Sequence, residues 1–153
     1  MNIEFFRPKV FDIKDMQNLV VDDVENGNIL SRDEGEMATT IRSYIAVKVD
    51  GILAGFVAIH IHTTILCEIR SLIVGKNFRK QGLGKELILH AIQDAKDLHL
   101  KEILVLTYQE ALFKNFDFKV IEKENIPNPK IWADCIKCKH FPICNEIALV
   151  KNI

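Results

Sequence analysis

The tightest constraint on what this chain can fold into lies between Leu66 and Ala95, where a strand pattern changes to a helix pattern across a basic, glycine-bearing loop. Leu66-Cys67-Glu68-Ile69-Arg70-Ser71-Leu72-Ile73-Val74 is rich in Ile, Leu and Val and stops at Gly75, as a strand does. Beyond Gly82, the residues Leu83, Leu87, Ile88, Ala91, Ile92 and Ala95 recur at helical spacing. The connecting stretch carries Lys76, Arg79 and Lys80, Lys85 follows in the first helical turn, and no acidic residue comes before Glu86. A turn that enters a helix in this way presents unpaired backbone N–H groups at the positive end of the helix dipole, which suits an anion and above all a phosphate. Glycines at 82 and 84 let that backbone approach a ligand with no Cβ in the way.

Two familiar phosphate loops do not fit. A P-loop requires G-x-x-x-x-G-K-[ST], whereas the position five before Gly84 is Arg79 and Glu86 follows Lys85. The dinucleotide fingerprint needs a third glycine where Leu87 stands. What remains is R-x-x-G-x-G, from Arg79 to Gly84, after a strand and before a helix. The plain alternative is a basic loop capping a helix, although glycines weaken a helix start.

At 153 residues, 48% hydrophobic and 27% charged, the chain can bury a core without staples and is expected to form one domain over 1–153, with a cysteine-rich turn at 135–144 inside it. A net charge of -1 provides no field favouring nucleic acid or an anionic membrane. No apolar run approaches the ~20 residues of a membrane span. The stretch from Met1 to Pro8 lacks the regions of a signal peptide. A cytoplasmic protein with no nucleic-acid or membrane partner is therefore expected, and a homodimer is compatible with the sequence.

Taken in order, Met1 to Val10 holds an opening strand. Asp12 is a candidate N-cap for a helix over Ile13 to Glu25, whose apolar face is Ile13, Met16, Leu19, Val20 and Val24, and Gly27 stops it. Ser31-Arg32-Asp33-Glu34 has capping-box spacing and predicts a helix from Arg32 to about Arg42. Tyr44 to Val49, the turn Asp50-Gly51 and Ile52 to Ile61 read as a hairpin, and Thr63-Thr64 turns into the central strand. After the long helix, Ile103 to Leu106 is wholly apolar, as a strand buried on both faces is. Glu110 to Phe116 reads as a short helix, and Phe118 to Ile121 and Glu146 to Val150 as strands. The pattern predicts a mixed sheet with helices on both faces.

This order of elements, with R-x-x-G-x-G at its centre, resembles the GCN5-related N-acetyltransferases over essentially the whole chain. The resemblance implies an α/β (α+β) fold with a mixed, mostly antiparallel central sheet flanked by helices. It also implies acetyl-CoA as cosubstrate: the backbone of Leu72, Ile73 and Val74 would hold the thioester carbonyl, and Arg79, Lys80, Gln81, Gly82, Leu83, Gly84 and Lys85 the pyrophosphate. Leu112 to Phe118 stands in the place of the family's F-Y-x-K-x-G-F, with Phe113 where a tyrosine general acid is frequent and Asp117 where glycine is usual. More narrowly, Ile29-Leu30-Ser31-Arg32, the run Cys67 to Val74, Leu104 to Tyr108 and Ile126-Pro127 resemble the acetyltransferase domain of N-acetylglutamate synthases. The ending, Lys130 to Cys135 and Glu146 to Ala148, resembles a short, stand-alone bacterial subgroup assigned to amino-acid N-acetylation in arginine biosynthesis. That likeness implies a free amino acid as acceptor, glutamate or glutamine foremost. Another small amine, a protein N-terminus, or a CoA-binding module without catalysis are the alternatives.

For the chemistry, Glu68 is the candidate base, through water, because burial in an apolar strand disfavours a carboxylate's charge. Its structural alternative is an ion pair with Arg70, two residues along the same strand face. Tyr108, just past an apolar strand, is the candidate acid for the departing thiolate, or a packing residue. Arg32 and Arg70 are the candidate acceptor-binding residues, since arginine grips a carboxylate with two parallel N–H bonds. Cys135, Cys138 and Cys144, with His140 between them, have the ligand types of a structural zinc site at a spacing that matches no standard finger; reduced cysteines without metal fit equally. Cys67 reads as a small core residue. His60 and His62 share a strand face; as a metal pair they would need a carboxylate partner that the sequence does not identify, and they read instead as residues lining the substrate groove or as ordinary hydrogen-bonded histidines.

Overall fold

A single hairpin sets the frame of the molecule. Strands β2 (Tyr44–Val49) and β3 (Ile52–Ile61) are joined through Asp50 and Gly51, both left-handed at φ 51° and 81°, the two-residue turn that matches strand twist. The structure, a computed structural model, describes residues 1–26, 32–122, 125–126 and 146–153, with the side chains of 22–24 outside it. The cysteine turn with Cys135, Cys138, His140 and Cys144 lies outside the described residues, as do Gly27 and Ile29 to Ser31.

On one side of the hairpin pairs β1 (Ile3–Phe6), shorter than the opening strand expected. On the other, β4 (Leu66–Val74) returns antiparallel to β3. Helix α3 (Leu83–Asp97) then crosses over, so that β5 (Glu102–Thr107) lies parallel to β4. After the short helix α4 (Glu110–Lys114) come β6 (Lys119–Ile121) and β7 (Ile147–Asn152), and β7 inserts between β5 and β6. The result is a seven-stranded sheet in the order β1-β2-β3-β4-β5-β7-β6, with β4–β5 its one parallel pairing. The mixed, mostly antiparallel fold class expected from the sequence is the one observed.

Both sheet faces are covered. On one face Leu83, Leu87, Ile88, Ala91, Ile92 and Ala95 of α3 pack with Val47, Val57, Ile59, Cys67, Ile69, Ile103 and Val105, and α4 adds Phe113. The other face carries two separate apolar clusters. Ile13 and Met16 of α1 (Ile13–Glu25) and Met37 of α2 (Glu34–Thr39) cover Tyr44, Ala46, Phe56, Ala58 and Ile73. Leu66, Leu104, Ile126 and Ala148 form the second.

Several local expectations are corrected. Helix α2 begins at Glu34 rather than Arg32 and ends at Thr39, followed by a single 3-10 turn over Ile41–Ser43. Its N-cap is Asp33, whose carboxylate accepts the Glu36 N–H at 2.7 Å, so the capping oxygen comes from a residue two beyond Ser31. Asp12 does not cap α1. It belongs to a preceding 3-10 turn, and its carboxylate accepts the Lys9 N–H at 2.8 Å. Phe113 is 2% exposed and meets Phe118 edge-on at 5.4 Å, so the residue in the place of the family's tyrosine is a core residue. Asp117 sits at φ 66°, the left-handed conformation that glycine would adopt and that Asp tolerates among non-glycine residues.

Candidate active site

The sheet does not stay closed along its centre. Strands β4 and β5 pair only from Leu66↔Glu102 to Ile69↔Val105; beyond that, Leu106 and Thr107 pair with β7, while β4 continues against β3 alone. Within that continuation lies a bulge. Ala58 pairs with Arg70 and Phe56 with Ile73, so Ser71 and Leu72 together face the one residue Val57. Ser71 takes φ 56°, a left-handed conformation that bends the strand. The backbone of residues 71–74 is thereby turned away and released on its β5 side, which opens a notch between the two central strands. Nothing in the apolar run Leu72-Ile73-Val74 signalled a bulge, because Ser71 is not a residue that favours positive φ.

The loop beyond this notch continues it. Gly75 ends the strand, a 3-10 turn over Lys76–Phe78 follows, and Arg79 Nε donates to the Val74 carbonyl oxygen at 2.9 Å. That bond ties the loop back to the notch, a structural role for Arg79 in addition to the charge its sequence position suggested. Lys80 and Gly82 are left-handed at φ 64° and 80°, and Gly82 caps α3 without a side chain. The first intrahelical bond comes from Glu86 N–H to the Gly82 carbonyl, so the N–H groups of Leu83, Gly84 and Lys85 lie ahead of the ladder. A Cβ at Gly82 would meet nothing within 4 Å, and one at Gly84 would meet only Val74 Cγ2 at 3.8 Å. Open space over two glycines, three N–H groups ahead of the helix ladder and the exposed Lys76, Arg79, Lys80 and Lys85 nearby in the chain make a cradle of the right sign for a pyrophosphate.

On the α1/α2 side of the sheet, the gap between the two apolar clusters is filled by polar groups. Glu68 is 6% exposed, the one buried charged residue among the described residues. Its Oε1 accepts from Arg70 Nε and meets His62 Nε2, each at 2.9 Å. The His60 ring stands edge-on to His62 with centroids 4.7 Å apart. The carboxylate partner that His62 lacked in the sequence is thus Glu68. It was hidden there because the pairing crosses a hairpin and runs along a sheet diagonal rather than straight across, where His60 sits.

Register places the arginines. Tyr44, Ala58 and Arg70 form one row across β2, β3 and β4, on a single face. Tyr44 is buried, which raises its phenol above the ordinary value against the opposing pull of Arg32 and Arg70 and a hydrogen bond with Thr40. Both arginine charges therefore reach the same hydroxyl. Arg32, just ahead of α2, is held by Gln17 bonding its carbonyl at 3.2 Å, and its guanidinium lies 3.8 Å from Glu36. Arg32, Arg70 and Glu68 are in this way brought to one region on the face that carries α1 and α2. Tyr108 follows β5 at the mouth of the notch and is 41% exposed. Sequence reasoning overlooked Tyr44 and left His62 without its partner; the signal for that partner was the even spacing of His60 and His62 on a strand that pairs with the Glu68 strand.

Among the described residues, no group of three or more His, Cys, Asp or Glu is arranged to hold a metal, and no helix is long and apolar enough to cross a membrane.

Residues 12–118 match the Acetyltransferase (GNAT) family. The chain is 37% identical over 127 residues to the uncharacterized N-acetyltransferase CT2212 of Chlorobaculum tepidum, a match that covers 83% of this chain and 81% of that protein. In structure it is similar to N-acetylglutamate synthase from Neisseria gonorrhoeae complexed with coenzyme A and N-acetyl-glutamate, with a TM-score of 0.87 at 20% identity. That likeness covers 99% of this chain and 35% of the synthase, so the chain spans about a third of it. It is likewise similar to Rv2747 from Mycobacterium tuberculosis in complex with CoA, with a TM-score of 0.83 at 18% identity over 98% of this chain and 99% of that one. A notched, bulged central strand running into a glycine cradle, matched over most of its length by the family, leads to one conclusion: the chain belongs to the GNAT family of acetyltransferases.

Proposed function

We propose that this chain is an acetyl-CoA-dependent amino-acid N-acetyltransferase, acting as one domain over 1–153 on the α-amine of glutamate or glutamine, in the manner of an arginine-biosynthetic enzyme. The observation that carries the reading is the buried carboxylate of Glu68, set between two donors on the acceptor face of the opened sheet. Acetyl-CoA lies with its pyrophosphate over Gly82 and Gly84 and its thioester carbonyl against the released backbone of Leu72 to Val74, whose N–H groups stabilise the oxyanion. Glu68 takes a proton from the acceptor ammonium, directly or through a water. The amine nitrogen attacks the thioester carbon, the C–S bond breaks, and the CoA thiolate leaves and is protonated, with Tyr108 the candidate donor.

The acceptor assignment rests on charge. A free amino acid offers a carboxylate, and glutamate two, to the paired influence of Arg32 and Arg70 around Tyr44. The resemblance in fold to a synthase complexed with N-acetyl-glutamate supports the same acceptor. The test is a screen of the common amino acids for acetyl-CoA-dependent thiol release, repeated with Glu68→Gln. Glutamate or glutamine should be preferred, and the variant should lose about 100-fold or more in kcat, the range a positioned base supplies. Release with peptides or polyamines but no free amino acid would overturn the acceptor, and full activity of the variant would overturn the base.

A further inference from the structure

We propose that His62 is a positioning residue for acetyl transfer: its Nε2–H holds Glu68 through Oε1 and leaves Oε2 aimed at the acceptor. The inference rests on the reading of Glu68 as base and adds the group that makes that base single-minded.

The geometry is unusual for a surface hairpin. His62 lies one residue beyond the end of β3, yet its side chain is 1% exposed. The turn that follows is built to keep it there. Thr63 Oγ1 accepts the N–H groups of both Ile65 and Leu66, at 3.2 and 3.0 Å, and the His62 N–H donates to the Leu66 carbonyl at 2.9 Å. The ring is thus carried back over the start of β4, onto a carboxylate six residues away.

The hydrogen bonds sort the four polar atoms. A carboxylate only accepts, so the nitrogen that meets Glu68 carries a proton, in the Nε2–H tautomer and in the imidazolium alike. His62 Nδ1 is buried and without a partner among the described residues. A structural histidine normally satisfies both nitrogens; this one leaves one unmatched and spends the other on Glu68. Arg70 Nε binds the same Oε1, so two donors converge on one oxygen and Oε2 stands outside both bonds.

A buried Glu–Arg–His cluster is a poor way to gain stability, since apolar residues of similar volume usually do as well. Around it, Leu66 and Leu104 supply the apolar side and His60 the edge-on wall. Such a cluster is well suited to holding one oxygen rigid while its twin reacts, because a buried carboxylate without fixed partners would rotate about its last bond.

The experiment compares His62→Leu, His62→Gln, Glu68→Gln and the double variant His62→Leu/Glu68→Gln, using acetyl-CoA with L-glutamate or the amino acid that the screen finds faster. Circular dichroism and thermal melting establish which variants are folded. His62→Leu should lower kcat by about 10- to 100-fold, the span of a lost hydrogen bond to a charged group, with the KM for acetyl-CoA unchanged. Glutamine presents an N–H at similar reach, so His62→Gln should recover to within about 3-fold of the parent while also reporting on the fold if the leucine variant is unstable. In the double variant, the loss of His62 should add nothing to the loss of Glu68. Parent-like kinetics in His62→Leu, or a folded His62→Gln as slow as the leucine variant, would overturn the assignment. Full activity of Glu68→Gln would instead overturn the base on which it rests.

Discussion

At the scale of single residues, the site turns on which charges share a partner. Glu68 and Arg70 were open to two readings, a base beside an acceptor-binding arginine or a plain ion pair, and in the fold they are an ion pair on the face that carries α1 and α2. The proposed base role is compatible with that pair, because His62 and Arg70 both meet Oε1 and leave Oε2 outside those bonds. Arg32 is the residue to test first, because its guanidinium lies 3.8 Å from Glu36, whose side chain is half exposed, and its charge acts on Tyr44. Arg32→Lys keeps the charge and removes the planar fork, so it should lower kcat/KM for glutamate by roughly 10-fold, about 1.4 kcal/mol of transition-state binding, without changing the KM for acetyl-CoA. Steady-state kinetics with each substrate varied checks this, and equal kcat/KM for both forms would remove Arg32 from the site. Arg32 and Glu68 were legible as chemistry because their residue types stand out against an apolar pattern. His62 was not, because its partner is chosen by strand register.

At the scale of elements, two glycines carry different burdens. Gly82 is left-handed, and a β-branched side chain there is strained whatever the space around it. Gly82→Val should cost about 1–2 kcal/mol of local strain and raise the KM for acetyl-CoA steeply by deforming the cradle, which titration of acetyl-CoA against the folded variant measures. Gly55 has an ordinary φ but no room: a Cβ would lie 2.6 Å from the Ile73 carbonyl oxygen. That oxygen belongs to the β4 segment just past the bulge, so Gly55→Ala should push the released backbone and lower stability by about 1–3 kcal/mol. Thermal melting alongside activity should show both falling together. The R-x-x-G-x-G loop was readable from its six residues, whereas the bulge it follows was not.

At the scale of the whole molecule, both faces of the central strand are covered, and the first of them is sealed under α3. Cys67, completely buried under α3, shows how well sealed the first face is. Burial pushes its thiol up to about 12, helped by the negative charges of Asp94 and Glu68. Only the thiolate reacts, so Cys67 should resist iodoacetamide at pH 8 in the folded protein and label at the rate of global unfolding, read by mass spectrometry of its peptide. The sign of the linkage follows. The folded state holds this proton more tightly than the unfolded chain, so the stability it contributes is complete below the ordinary thiol range, near pH 9, and is lost as pH rises toward 12. A Cys67 peptide that labels as fast as a free thiol under native conditions would contradict the sealed face.

What the sequence determined by itself was local. The shift from strand to helix period, the Asp50-Gly51 turn and the glycine loop each depend on residues within a turn or two of one another. That was enough to place β2, β3, β4 and the body of α3, and through them the fold class. Helix caps were less legible, because Ser31, Asp33 and Asp12 all have capping oxygens and the surrounding chain decides which one reaches an N–H. Only the tertiary structure decided the parting of β4 from β5, the insertion of β7 between β5 and β6, the left-handed Ser71 and the bond from His62 to Glu68. The sheet order and the parting of β4 from β5 are choices of partner between segments far apart in the chain, and the Ser71 bulge and the His62–Glu68 bond follow from how β3 and β4 register. Such choices are settled by strand register and by which faces α1 and α3 must cover, and neither is written in any one segment's residues.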